Sequence, residues 1–488
     1  MDKGRQSQYC LKGDLCFTPV QSDMNFSFDE SNLRNRSSAL PSTGDLSLLS
    51  LNAEPAGTAG NGNQEGHGSQ PSSSSEATHH DPGSWTYLVN LTATMLPDNQ
   101  AGSGYKFNQL RNLKDLTRNS NSEVIVQEFD AGTGMLERYE LAHGEIHNFQ
   151  PVKSAGTAAD LQSLLAAAPR GGQLALINEA HGNGDLGFEG DAGKLSVNDF
   201  ERAIKTGLAS TGRTSLDVLS MDSCLMANVQ VLCKVSGLAK NVVASELEEF
   251  SSVALSETPP ATVFDMQPID QYLSAMLQKP PQSGREAADE MLSVSAKSCD
   301  ALAPTQEGCG TPTLAIYNPE AAPESERALD QLGTELQLAI KDPGAKKAVD
   351  SLIGQIPDVS IVSDHLRDVD GFATGVINLI KRGTISDGDH RLQQAAQDVV
   401  NADRNLVRAF YVNPKSKIVE IVGQNHLTGL NTFLPGPQFD VRSEAEDMVN
   451  LQDSKTLPLQ NLLDREIQRS LPDDYSGGWA GFVGTIRR

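Results

Sequence analysis

Cysteine, aromatic rings, positive charge and long apolar runs are all scarce in this chain of 488 residues. The six cysteines, Cys10, Cys16, Cys224, Cys233, Cys299 and Cys309, are too few and too scattered for a disulfide scaffold. They read as reduced thiols, with Cys299 and Cys309 near enough in sequence to bridge if geometry allows. Aromatic residues make up 5% and apolar residues 38%, lean for one globule yet too rich for a wholly disordered chain. Lys and Arg number 39 against 63 Asp and Glu, a formal charge of −24. That balance disfavours a nucleic-acid binder, which needs a basic face, and no nucleic-acid partner is expected. No run approaches the ~18 apolar residues of a membrane span, and the N-terminus lacks the apolar core of a secretory signal. The expectation is a soluble protein with no membrane partner, either cytoplasmic or exported by a route without a cleavable signal peptide.

What is present divides the chain in three. Residues 1–84 hold 15 Ser, 9 Gly and 5 Pro, including the run Ser72 to Ser75, and cannot bury enough apolar surface to offset chain entropy. They are expected to form a disordered tail, either a passive solubilising extension or a delivery or regulatory segment. Order is expected from Trp85, where WTYLVNLTATM has the near-continuous apolar character of a strand buried on both faces. Through residues 85–256 strand patterns (EVIVQEF, LALIN, LDVLSM, NVVAS) alternate with helical ones (TAADLQSLLAAA, SVNDFERAIKTGL with Ser196 as N-cap, MANVQVLCKVSGLA). Such alternation implies right-handed crossovers, hence an α/β fold with a mainly parallel sheet and helices on both faces. Residues 257–488 turn to longer helices, with strand-like TLAIYNP, RAFYVNP and KIVEIVG between them, and read as an α-rich C-terminal part packed on the sheet.

In open parallel sheets functional groups gather beyond the carboxyl ends of strands. LALIN runs into EAHGNGDLG, placing His181 and Gly182 past its end; LDVLSM runs into DSCLM, placing Cys224 past the other. If these strands are neighbours, about 4.8 Å apart, His181 and Cys224 face one another across a cleft. Alone, Cys224 reads as a small buried hydrophobe and His181 as a turn residue; together they offer base, nucleophile and backbone donors. Asp222 is open to two readings, a turn or helix cap or a carboxylate for a basic ligand. His143 follows a charged stretch and reads as a surface turn, Cys233 as a core thiol. His365, His390 and His426 show no metal-ligand spacing, so no catalytic metal is expected.

The strings AHGNG (180–184), MDSCLMANVQV (221–231) and VVASE (242–246) resemble the clostripain family of cysteine peptidases, within the caspase-like clan. WTYLVNLTA, SDHLRDVDGFA, GLNTFLPG and SGGWAGFV are weaker echoes in the same order, so the resemblance spans about residues 84–488. It implies a caspase-like fold, Cys224 as nucleophile, His181 as general acid/base, and an oxyanion site from the N–H groups of Gly182 and Cys224. The His-to-Cys spacing of 224 − 181 = 43 residues is close to the ~50 of caspases. The resemblance further implies a protein or peptide substrate cut after Arg or Lys, with Asp222 receiving the basic side chain and Glu246 as a second pocket wall. Self-cleavage between His and Cys is also implied, with Lys194 the better candidate and Arg213 the other. Calcium responsiveness is left open, although no EF-hand loop is present. Ala180 stands where the family is often acidic, Ser223 where it usually has Ala, and LEEFSSVALSETPP where it usually has a Gly- and Trp-rich turn. The alternatives are a catalytically inert caspase-like binding module, or a peptidase of the same fold with a different cleavage preference.

Overall fold

The computed structural model describes residues 9–11, 15–17, 79–92, 113–130, 133–190, 192–247, 249, 269–301, 312–360, 365–436 and 477–486. The chain forms two compact units, Met1–Ala77 and Thr78–Arg488. In the first, strands β1 (Tyr9–Leu11) and β2 (Leu15–Phe17) pair antiparallel with Cys10 opposite Cys16. The rest of the expected disordered tail lies outside the described residues, apart from its last positions. There β3 (His79–Leu91) begins six residues ahead of the expected start of order at Trp85.

In the second unit, β3 lies at the centre of a ten-stranded sheet. Its strands in chain order are β3, β4 (Glu123–Asp130), β5 (Met135–Ala142), β6 (Glu145–Asn148), β7 (Val152–Lys153), β8 (Arg170–Glu179), β12 (Val218–Asp222), β13 (Val242–Ala244), β14 (Thr313–Tyr317) and β16 (Val407–Val412). A smaller sheet holds β9 (His181–Gly182), β10 (Phe188–Gly190) and β11 (Gly193–Leu195), and a separate ladder pairs β15 (Leu366–Asp368) with β17 (Asn431–Phe433). The core of the large sheet, in the order β13-β12-β8-β3-β4, is parallel throughout. Antiparallel strands close both sides, β14 and β16 beyond β13, β5 and β6 beyond β4. Of the strands after residue 257, β14 and β16 thus extend the same sheet.

Helices cover both faces. In chain order they are α1 (Thr157–Ala166), α2 (Val197–Ser210), α3 (Val229–Lys234), α4 (Ile269–Gln278), α5 (Gly284–Ala301), α6 (Ala322–Ala339), α7 (Pro343–Ile353), α8 (Val369–Lys381), α9 (Arg391–Leu406), α10 (Lys417–Val422) and α11 (Gly478–Ile486). Alternate strand residues sort between two cores. Leu174, Leu176, Leu219 and Met221 join one with α1, α2, α3 and α6; Ala175, Ile177, Val218 and Val243 join the other with α4 and α5. Each fully buried Leu or Ile contributes roughly 1.5–3 kcal/mol, and this double burial accounts for the unbroken apolar runs of the central strands. Ser196 caps α2 by accepting from Asp199 N at 3.1 Å, as its position before the amphipathic run predicts. His143 and Gly144, with φ of 53° and 79°, form a two-residue turn between β5 and β6.

Three expectations are corrected. KIVEIVG is helical, forming α10; a six-residue element with four apolar positions is too short to separate strand from helix. The helix after Cys224 spans only Val229–Lys234 and is capped by Asn228. The thiols are not all reduced, since Cys299 is disulfide-bonded while Cys224 and Cys233 are free.

Candidate active site

The sheet registers β8 against β12 with Asn178 opposite Met221 and Glu179 opposite Asp222. The chain leaves both strands at the same level, so positions 181 and 224 lie two residues beyond the last matched pair. Ala180 N still donates to Asp222 O at 3.3 Å, which carries the pairing one residue past the strands. A Cβ on Gly182 would lie 1.9 Å from Cys224 O and 2.9 Å from Cys224 N, so only glycine permits this approach. The two loops therefore touch, backbone to backbone, at the site expected from sequence.

His181 is exposed and begins β9, which β10 holds through Gly182 opposite Phe188 and His181 opposite Glu189. Cys224 is half-buried, and its Sγ meets the backbone of Glu249 twice. Glu249 N donates to the sulfur at 3.2 Å, and the thiol donates to Glu249 O at 3.2 Å. A thiol satisfies both contacts, whereas a thiolate keeps only the first. Leu225, next in the chain and buried, has φ +63°, a left-handed conformation costing roughly 1–2 kcal/mol in a non-glycine residue. Its N–H donates to Leu247 O at 3.1 Å, and Ala227 N donates to Ser245 O at 2.8 Å. The segment after β13 thus grips the turn that presents Cys224.

Sequence reasoning missed the residues that brace this turn. Asn431 Nδ2 donates to Leu225 O at 3.3 Å and to Glu246 O at 3.0 Å, while its Oδ1 accepts from Asn228 Nδ2 at 3.0 Å. Asn431 N donates to Ala227 O at 2.8 Å. Thr313 Oγ1 accepts from the backbone N–H groups of Glu246 and Leu247, both at 3.1 Å. Across the sheet, a buried polar ladder runs from Gln127 through Asn90 to Asn178 at the strand ends. Ser223, buried, donates to Asp222 O at 2.7 Å.

The remaining expected site residues lie as follows. Asp222 ends β12 and is fully buried; the cap of the following helix is Asn228, so Asp222 is not a helix cap. Glu246 is fully buried as well, its Oε2 accepting from Gly429 N at 2.7 Å. Burial first, and the facing Asp368 carboxyl second, push its pKa well above the usual carboxylate range. Lys194 is exposed in β11, opposite Glu189, while the next residue, Leu195, is buried. Arg213 is tied down by its guanidinium, which donates to the carbonyls of Gly171 and of Gly172, the latter at 3.1 Å. Cys233 donates to Glu326 Oε2 at 2.9 Å, and burial together with that carboxylate pushes its thiol up to about 12. Among the described residues no three His, Cys, Asp or Glu side chains are grouped to hold a metal ion.

Residues 96–253, which include both touching loops, match the model of the clostripain family. That match covers about a third of the chain and marks a likeness to the family over those residues. Comparison with curated proteins returned no match. Among solved structures, a secreted C11 cysteine protease from Bacteroides thetaiotaomicron, bound to an irreversible peptide inhibitor, aligns over 79% of this chain and 100% of its own. The identity is 12% and the TM-score 0.47. An inactive zymogen C11 protease from Parabacteroides distasonis aligns over 79% of this chain and 99% of its own, at 12% identity and a TM-score of 0.48. At these scores the alignments add nothing to the family match and the chain's own sheet.

Proposed function

We infer that the protein is a cysteine endopeptidase in which Cys224 is the nucleophile and His181 the general acid and base. The observation that supports this reading best is the contact of Gly182 with the Cys224 backbone at the ends of two registered parallel strands. His181 takes the thiol proton, and the sulfur forms a bond to the scissile carbonyl carbon. The carbonyl electrons move to an oxyanion that the N–H groups of Gly182 and Cys224 would receive, each donor contributing about 3 kcal/mol. As the C–N bond breaks, His181 returns the proton to the leaving amine. Water, deprotonated by His181, then opens the thioester. None of these steps calls for a metal, so turnover should be indifferent to EDTA and to calcium added afterwards; a calcium-restored activity would reverse that.

Cleavage after Arg or Lys is the first reading of specificity, with Asp222 pairing the basic side chain by a charge-assisted bond. A different preference is the second, favoured by the complete burial of Asp222 and of Glu246. Turnover of fluorogenic peptides ending in Arg, Lys, Asp or Asn, beside Cys224→Ala, separates the two. Asp222→Asn should lower turnover about 10- to 150-fold on basic peptides only, from a pair worth roughly 1.5–3 kcal/mol. Equal losses on every peptide favour the second reading, and an inactive wild type favours an inert binding module. Self-processing is proposed at Lys194, since its exposure suits a cleavable site and Arg213 is held by carbonyls. The disulfide at Cys299 supports the export alternative for localisation.

A further inference from the structure

Two buried carboxyl groups meet some distance along the chain from the proposed dyad. Asp368 Oδ2 accepts from Thr428 N at 2.8 Å and from Thr428 Oγ1 at 2.5 Å, and Glu246 Oε2 accepts from the next backbone amide, Gly429 N, at 2.7 Å. Seated on consecutive amides, the two side chains face each other and hydrogen-bond. Both are essentially without solvent exposure. Asp368 Oδ1 is committed to capping α8 through Gly371 N at 2.5 Å. Glu246 Oε1 is buried, and among the described residues no N–H or hydroxyl donor reaches it. A single proton held between the carboxyls supplies the missing donor; without it, two negative charges would stand side by side in the core.

The position of Glu246 gives this arrangement a consequence for the site. Its own backbone is fixed by Thr313 and Asn431, its neighbours Ser245 and Leu247 hold the turn after Cys224, and Glu249, three residues on, touches the sulfur. We propose that Glu246 and Asp368 share a proton and act as positioning residues, fixing Ser245, Leu247 and Glu249 so that the Glu249 backbone and the Leu225 turn set the environment of the Cys224 sulfur. The proposal rests on the reading of Cys224 as nucleophile.

The sign of its pH dependence follows from the raised pKa values. Burial, then the neighbouring Asp370, raise Asp368 to about 6, and Glu246 lies well above the carboxylate range. A raised carboxyl binds its proton more tightly folded than unfolded, so its stabilisation is complete at low pH and lost as pH rises through the folded value. The loss begins near 6 for Asp368 and continues at higher pH for Glu246. The titratable groups facing the pair are Asp370 on α8 and Tyr317 on β14, whose hydroxyl donates to Gly429 O. Both are acids, and neither offers a compensating positive charge.

The test uses the full chain and two readouts. The first is the rate of Cys224 alkylation by iodoacetamide from pH 5.5 to 9.5 in wild type, His181→Ala and Glu246→Gln. Gln keeps an acceptor for Gly429 N and donates permanently to Asp368. Ionisation of the thiol raises the rate with pH in all three; a further inflection of about threefold or more is expected in wild type and His181→Ala and absent from Glu246→Gln, and superimposable wild-type and Glu246→Gln profiles overturn the proposal. The second is hydrogen exchange in wild type alone, which needs no variant to fold. Protection of the Gly429 and Leu225 amides should fall about tenfold or more over the same pH range, and constant protection overturns the proposal. Failure of peptide turnover would count against the peptidase reading and leave the exchange result standing.

Discussion

The two halves of the site are built differently. Cys224 projects from a turn held on all sides, by Ser245 and Leu247 in front, Asn228 and Asn431 behind, and a fully buried strand beneath. His181 stands exposed on a two-residue strand, one arm of a small sheet whose outer strand, β11, carries the exposed Lys194. The proposed nucleophile is thus fixed by a turn whose backbone pairs with Ser245, Leu247 and Asn431, at the cost of burying polar side chains around it. The proposed base stands exposed on strands of only two and three residues, although Phe188 and Leu195 anchor their sheet in the core, and such short elements open at low cost. Chemistry that needs both partners is most easily switched by moving the half that is cheap to move.

That contrast breaks most sharply at the contact between the halves. Cys224→Ala and His181→Ala should each remove turnover by about a thousandfold or more with an unchanged circular dichroism spectrum, since neither side chain is part of the core. Wild-type turnover in either variant would end the dyad assignment. Gly182→Ala should come next. Its new methyl would meet Cys224 O at 1.9 Å and must force the two loops apart, so a loss of about a hundredfold is expected from misplacement alone. The losses should show in kcat/KM, with the melting temperature falling only modestly because the flap yields before the sheet.

Bracing on the Cys224 side should show in stability more than in chemistry. Asn431→Ala deprives Leu225 O, Glu246 O and Asn228 Nδ2 of a partner, and a buried unsatisfied group costs about 1–3 kcal/mol. A fall of about 2–4 kcal/mol in urea-derived stability is expected, since relaxation recovers part of that cost. Glu189→Ala, the matching cut on the His181 side, should cost no more than about 0.5 kcal/mol. Equal costs at the two positions would erase the distinction drawn between braced and loosely held halves.

These bracing residues also mark where the sequence stops being readable. The central strands are legible because burial on both faces demands unbroken runs such as LALIN and LDVLSM, and the residues beyond strand ends are legible because a parallel sheet puts function there. Asn431 is not legible, since its partners lie 203 and 206 residues away in sequence and a single Asn in a short apolar run reads as an ordinary loop residue. Asp368 caps a helix, and nothing local in the sequence reveals that Glu246 occupies the adjoining amide. KIVEIVG misleads for the opposite reason, because its local pattern fits two periods and packing selects the helix.

The smallest expected effect on the folded protein falls at Lys194. Its side chain is solvated and its partner in register, Glu189, lies on a neighbouring strand of the same flap, so Lys194→Gln should shift stability by less than about 0.5 kcal/mol. Its effect on processing should be all or none. The bond after Lys194 leads to the buried Leu195 and to the capped start of α2, so cleavage requires β11 to peel from β10 first. That opening frees the same small sheet that carries His181, and it costs little because β11 is only three residues long. On storage, wild type should yield two fragments, the second beginning at Leu195, while Lys194→Gln and Cys224→Ala stay whole. N-terminal sequencing of the fragments checks the position, and an intact wild-type chain with full peptidase activity would show that the loosely held half moves without being cut.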